Sequence, residues 1–147
     1  MKDYIERQAK KLIRKYNTRN PFELAYALNI SIKFYDFKKL KGFYTYYKRN
    51  RYIGINRNLS KEEQMLCCAH EIGHDQLHRH LTYYMKDYDF FTNIKTEHQA
   101  NLMAAYILIP DDLLDKYSKH NYTIEQIAAM ENLCPDLIKL RFNLGIF

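Results

Sequence analysis

His70-Glu71-Ile72-Gly73-His74 sits inside a stretch, Ser60 to His80, that reads as a single helix, and that placement fixes what the pentapeptide can do. Ser60 with Glu63 is a capping-box pair ahead of an apolar run, so the helix should begin near Lys61. At 3.6 residues per turn, His70 and His74 share one face, and both imidazoles can reach one ion at Zn–N distances of about 2.0–2.1 Å. Glu71 lies beside that face, where a carboxylate can take a proton from water at the ion and pass it to a leaving amine. This is the arrangement of zinc hydrolases. Cys67, Ala69 and Gly73 are small, and glycine costs about 1 kcal/mol in a helix interior. Something is therefore expected to pack closely on this face.

The 147 residues suit one domain, 1–147, large enough for a real core. The first eleven residues are charged and contain no apolar signal segment, and no run of 18 apolar residues occurs. A soluble, cytoplasmic protein with no membrane association is expected. Three cysteines, Cys67, Cys68 and Cys134, form neither a disulfide framework nor a C-x-x-C metal pattern. The net charge of +6 hides an asymmetry: residues 1–58 hold 15 Lys/Arg against 4 Asp/Glu, and residues 59–147 hold 8 against 13. A basic half reads first as a solvated face, so direct nucleic-acid binding is not expected.

Tyr4, Ile5, Ala9, Leu12, Ile13 and Tyr16 recur at helical spacing, predicting a helix that ends near Asn17. Asn20-Pro21 starts a short helix through Leu28. Ser31 to Phe37, Phe43 to Tyr47 and Tyr52 to Ile55 read as strands of a small antiparallel sheet, with Lys48 to Arg51 as a hairpin turn. Their aromatics are expected to pack rather than to stack on bases. The Tyr52 strand leads straight into the metal helix, and as a sheet edge it would take up an extended peptide. Tyr83 to Phe91 has no clear period and reads as a loop over the site.

Lys95 to Ile109 predicts a second long helix, stopped by Pro110. Glu97, Asn101, Ala104 and Leu108 fall on one stripe with Ala100 beside it, and small residues there allow close helix packing. A catalytic zinc takes three protein ligands and keeps one position open, which makes Glu97 the expected third ligand. His78 lies about 12 Å along the axis from His70, too far to share an ion. His98 points about 100° away from Glu97, while His80, Asp87 and Asp89 lie on or near the irregular loop. Tyr83, Tyr84, Tyr88 and Tyr106 are candidates for stabilising an oxyanion.

His70-Glu71-Ile72-Gly73-His74 with Leu77-His78, followed by Glu97-His98-Gln99-Ala100-Asn101, Ala104-Ala105 and Ile109-Pro110, resembles the ImmA/IrrE family of zinc peptidases. The likeness takes in Tyr52 to Asn56 and spans roughly residues 50 to 110. Met103 and Gln99 depart from residues common in that family, Phe and Glu. The resemblance implies His70, His74 and Glu97 as zinc ligands and Glu71 as the base. It further implies cleavage of a helix-turn-helix repressor encoded on a phage or mobile element, which relieves repression.

Thr123 with Gln126 opens another helix, Asn132 marks a turn and Pro135 begins a last helix through Leu140. That outline supports an alternative, a non-catalytic regulator that binds a repressor or DNA through this segment. The expected architecture is α+β: a small antiparallel sheet and about five helices, with the H-E-x-x-H helix packed on a helix that carries a Glu ligand, and segment 111–147 packed on them.

Overall fold

The computed structural model describes residues 1–85 and 90–144. Its elements in chain order are α1 (Lys2–Tyr16), α2 (Pro21–Ala27), β1 (Ser31–Tyr35), β2 (Gly42–Tyr47), β3 (Asn50–Asn56), α3 (Lys61–Leu77), β4 (Tyr83–Met85) and α4 (Lys95–Leu108). A 3-10 turn at Asp115–Tyr117, α5 (Ile124–Glu131) and α6 (Pro135–Phe142) complete it. The class is α+β, with six α-helices among the described residues where about five were expected. None of them is long and apolar enough to cross a membrane.

The helix ends follow the residues that mark them. Asn17 and Asn132 take left-handed backbone with φ of 52° and 56°, closing α1 and α5. The Asn20 side chain accepts from the Phe22 amide ahead of Pro21. Ser60 Oγ accepts from the Glu63 amide at 3.2 Å, so α3 starts at Lys61 as its cap requires.

The sheet differs from the expected antiparallel set in one pairing and one strand. Its order is β1-β3-β2-β4; β2 is antiparallel to β3 and β4, but β1 runs parallel to β3. Lys48 and Arg49, with φ of 49° and 65°, make a two-residue hairpin turn, which returns β3 alongside β2 and inserts it beside β1. The Asn56 amide donates to the Phe37 and Leu40 carbonyls at 3.1 and 3.0 Å, bracing the crossing segment 36–41. β3 is therefore an inner strand and cannot take up a peptide; among the described residues the sheet's outer strands are β1 and β4. β4 occupies part of the stretch expected as a loop, where three residues are too few to display a period. Asp87, Tyr88 and Asp89 lie outside the described residues.

One face of the sheet, with Tyr44, Ile53 and Ile55 fully or almost fully buried, packs on α3. The opposite side of α3 meets α4, which in turn rests on α1 and α6. The expected close approach is present: a Cβ on Gly73 would lie 2.9 Å from both the Ala100 Cα and its carbonyl oxygen. Buried Asp75 ties α3 to the sheet, accepting from Tyr44 Oη at 2.9 Å and from Arg51 at 3.1 Å. Arg51 also donates to the Leu28 carbonyl at the end of α2.

Alanine is the better helix former by about 1 kcal/mol, yet overpacking typically costs about 1–3 kcal/mol. Gly73→Ala is therefore expected to be destabilising by about 1 kcal/mol or more in denaturant unfolding. A gain in stability would mean that α3 and α4 are not in backbone contact at this point.

Candidate metal centre

Two helices assemble the site. α3 presents His70 and His74, 2% and 0% exposed, and the first turn of α4 presents Glu97. His70 Nε2 lies 3.1 Å from Glu97 Oε2, His74 Nε2 lies 3.0 Å from Glu97 Oε1, and the two Nε2 atoms are 3.1 Å apart. Two ligands on a tetrahedral ion with bonds of about 2.0–2.1 Å stand about 3.3 Å apart, so this triangle is close to the size a zinc ion needs. Among the described residues this is the group whose donor atoms converge closely enough to hold a metal.

The proton positions fit as well. Asn101 Oδ1 lies 2.7 Å from His70 Nδ1 and accepts its proton, which leaves the Nε2 lone pair facing the Glu97 carboxylate. Lone pairs and a carboxylate converging at 3 Å call for a cation between them. Burial pushes His74 down to about 4, outweighing the pull of Glu97, so the ring is neutral at pH 7. Burial also opposes charge on Glu97, but the His70 and His74 rings beside it prevail and hold its carboxyl well below the usual range. A neutral His74 imidazole and an ionised Glu97 carboxylate are the states a metal requires of these two groups.

Glu71 is fully buried, and neither carboxylate oxygen has a hydrogen-bond partner. Burial first, and then the charge on Glu97, raise its carboxyl well above the ordinary value. A general base works best near the ambient pH, and this environment moves Glu71 towards it.

The rival ligands stand elsewhere. His78 caps α3, its Nδ1 at 3.2 Å from His74 Nδ1 and its Nε2 at 2.8 Å from Gln99 Oε1, so it contacts His74 from behind and does not join the triangle. The His80 ring packs edge-on to Tyr46 at 4.8 Å. Of the tyrosines, Tyr83 stacks on the His74 ring at 3.7 Å, whereas Tyr84 is 67% exposed and Tyr106 lies under the Arg141 guanidinium. The charged groups of α6 are engaged locally: Lys139 pairs with Glu125 at 3.4 Å, and buried Arg141 donates to the Ile109 carbonyl and to Asp111. Sequence reasoning assigned no role to Gln99 and Asn101 at the site. Asn101 follows Glu97 by one helical turn, the spacing at which both side chains can reach His70.

Glu71 binds its proton more tightly folded than unfolded, so stability in the metal-free state is lost as pH rises above the unfolded value of about 4.5. Glu71→Gln cannot ionise, so relative to wild type it should gain stability in the metal-free state as pH rises from 5 to 8, by on the order of 1 kcal/mol or more. Denaturant unfolding in chelator at the two pH values measures this. No relative gain between the two pH values would show that the carboxylate is compensated in the fold.

Residues 25–143 match the family model described as the IrrE N-terminal-like domain, a peptidase family. The chain is 40% identical over 139 residues to the "Uncharacterized immunity region protein 2" of Bacillus phage phi105, covering 93% of this chain and 88% of that protein. It is 28% identical over 132 residues to the Metallopeptidase ImmA of Bacillus subtilis (strain 168), covering 88% of this chain and 78% of that protein. With the family model spanning most of the chain and its His-His-Glu triangle in place, the protein belongs to the ImmA/IrrE family of metallopeptidases.

Proposed function

We propose that this protein is a zinc-dependent endopeptidase that cleaves a helix-turn-helix repressor and so relieves repression. The observation that carries the enzymatic part is the buried His70, His74 and Glu97 triangle with a second, unpartnered carboxylate, Glu71, in the same helix. Two imidazoles and one carboxylate form a donor set typical of catalytic zinc. When bound, zinc supplies Lewis acidity towards water and towards a peptide carbonyl.

The protein's own residues do the rest. His70, His74 and Glu97 hold the ion, and Asn101 keeps the His70 proton on the nitrogen that faces away from it. Glu71 takes the proton of the attacking water and delivers it to the amine that leaves. Burial of the site strengthens each of these electrostatic interactions. β4, the outer strand among the described residues, whose Tyr83 stacks on His74, lies beside the site where an extended peptide could pair with it.

The choice of substrate rests on the family resemblance and on the phage relative, whose name places it in an immunity region. The alternative, a regulator that binds DNA through the last two helices without catalysis, finds little support in α6. Leu137, Ile138 and Leu140 are buried there and its cations are paired within the protein.

The test uses purified, zinc-loaded protein and a repressor from the same genetic element. The wild type is expected to cut it. Glu71→Gln should keep its zinc but cut at least about 100-fold more slowly, the usual scale of general-base catalysis. His74→Ala should lose both zinc and cutting. If Glu71→Gln relieves repression as well as the wild type does, the protein acts by binding and not by hydrolysis.

A further inference from the structure

We infer that His78 and Gln99 form a positioning relay that keeps the His74 Nε2 lone pair open to the metal; the inference rests on the zinc reading above. The two histidines of the triangle are supported differently. His70 Nδ1 meets an amide oxygen directly, whereas His74 Nδ1 meets another imidazole, His78 Nδ1, at 3.2 Å. A neutral imidazole nitrogen accepts a hydrogen bond only if its proton sits on the other nitrogen. His78 Nε2 is that other nitrogen, and it lies 2.8 Å from Gln99 Oε1, an atom that can only accept.

The proton positions then follow in order. Gln99 Oε1 holds the proton on His78 Nε2, His78 Nδ1 is left bare, His74 Nδ1 donates to it, and His74 Nε2 faces Glu97 and His70 with its lone pair. Turning the Gln99 amide over would reverse every step, because its NH2 group would donate to His78 Nε2 and the last proton would land on His74 Nε2. That nitrogen could no longer ligate. The orientation of one amide on α4 therefore decides whether a ligand on α3 is competent, with no change in charge. A carboxylate at position 99 has no wrong orientation.

Hydrogen-bond partners of ligand histidines typically contribute 10–100-fold to metal affinity, which sets the expected scale. Zinc affinity is measured by chelator competition on the full chain for wild type, Gln99→Met, His78→Phe, the double variant and Gln99→Glu, with folding checked by thermal unfolding. Each single loss should weaken zinc about 10–100-fold. The double variant should be no weaker than the weaker single one, because the two residues act in series. Gln99→Glu should bind at least as tightly as wild type, which keeps the test open if an apolar variant fails to fold. Nitrogen-15 NMR of the zinc-loaded wild type should place the His78 proton on Nε2. A proton on His78 Nδ1, additive losses, Gln99→Glu binding more weakly than wild type, or Gln99→Met within twofold of wild type would overturn the relay alone. Failure of the wild type to bind zinc would overturn both the relay and the metal reading.

Discussion

α3 and α4 come together at Gly73 and Ala100 so closely that no side chain fits between them, and the site depends on that approach. His70 and His74 belong to one helix and Glu97 to the other. A separation larger by a single methyl layer would pull the carboxylate out of the 3 Å range in which it meets both imidazoles. Gly73 lies inside the metal motif itself, so the residue that permits the packing and the residues that use it are neighbours in sequence. Asp75, two positions on, fixes the other side of α3 by holding Tyr44 of β2 and Arg51 of β3. The helix is thus clamped between sheet and α4, with its histidines between two fixed surfaces.

The site contains more polarity than a core tolerates without compensation. His70, Glu71, His74 and Asp75 are all buried within six residues of helix. Asp75 is compensated by a tyrosine and arginines, His70 by Asn101, and His74 by His78. Glu71 alone of these has no hydrogen-bond partner, and its carboxyl is accordingly pushed up. Burial without a partner is unfavourable for folding and is what makes a carboxylate a usable base near neutral pH. The cysteines beside it, Cys67 and Cys68, are buried and free, burial raises both thiols, and neither belongs to the converging group.

What could be read in the sequence was what repeats locally. The caps at Asn20, Ser60 and Thr123 marked helix starts that the structure bears out, because a cap is satisfied within three residues. The convergence of His70, His74 and Glu97 was visible for the same reason: each helix places its donors by a four-residue period, and small residues indicated which faces meet. The strand order was not visible. The hairpin turn was legible, but that β3 also inserts beside β1 depends on their parallel pairing and on Asn56 bracing the crossing segment, both contacts between residues far apart in the chain. β4 was hidden by its length, and the link from His78 to Gln99 by its crossing between helices.

The central claim is that one metal ion sits where His70, His74 and Glu97 converge. Crystals of the zinc-loaded protein, with anomalous diffraction recorded on both sides of the zinc absorption edge, test it directly. The account predicts one zinc peak about 2.0–2.2 Å from His70 Nε2, His74 Nε2 and a Glu97 oxygen, with the fourth position free of protein atoms. A peak bound instead through Cys67, Cys134 or His98, or no peak at the triangle, would contradict it.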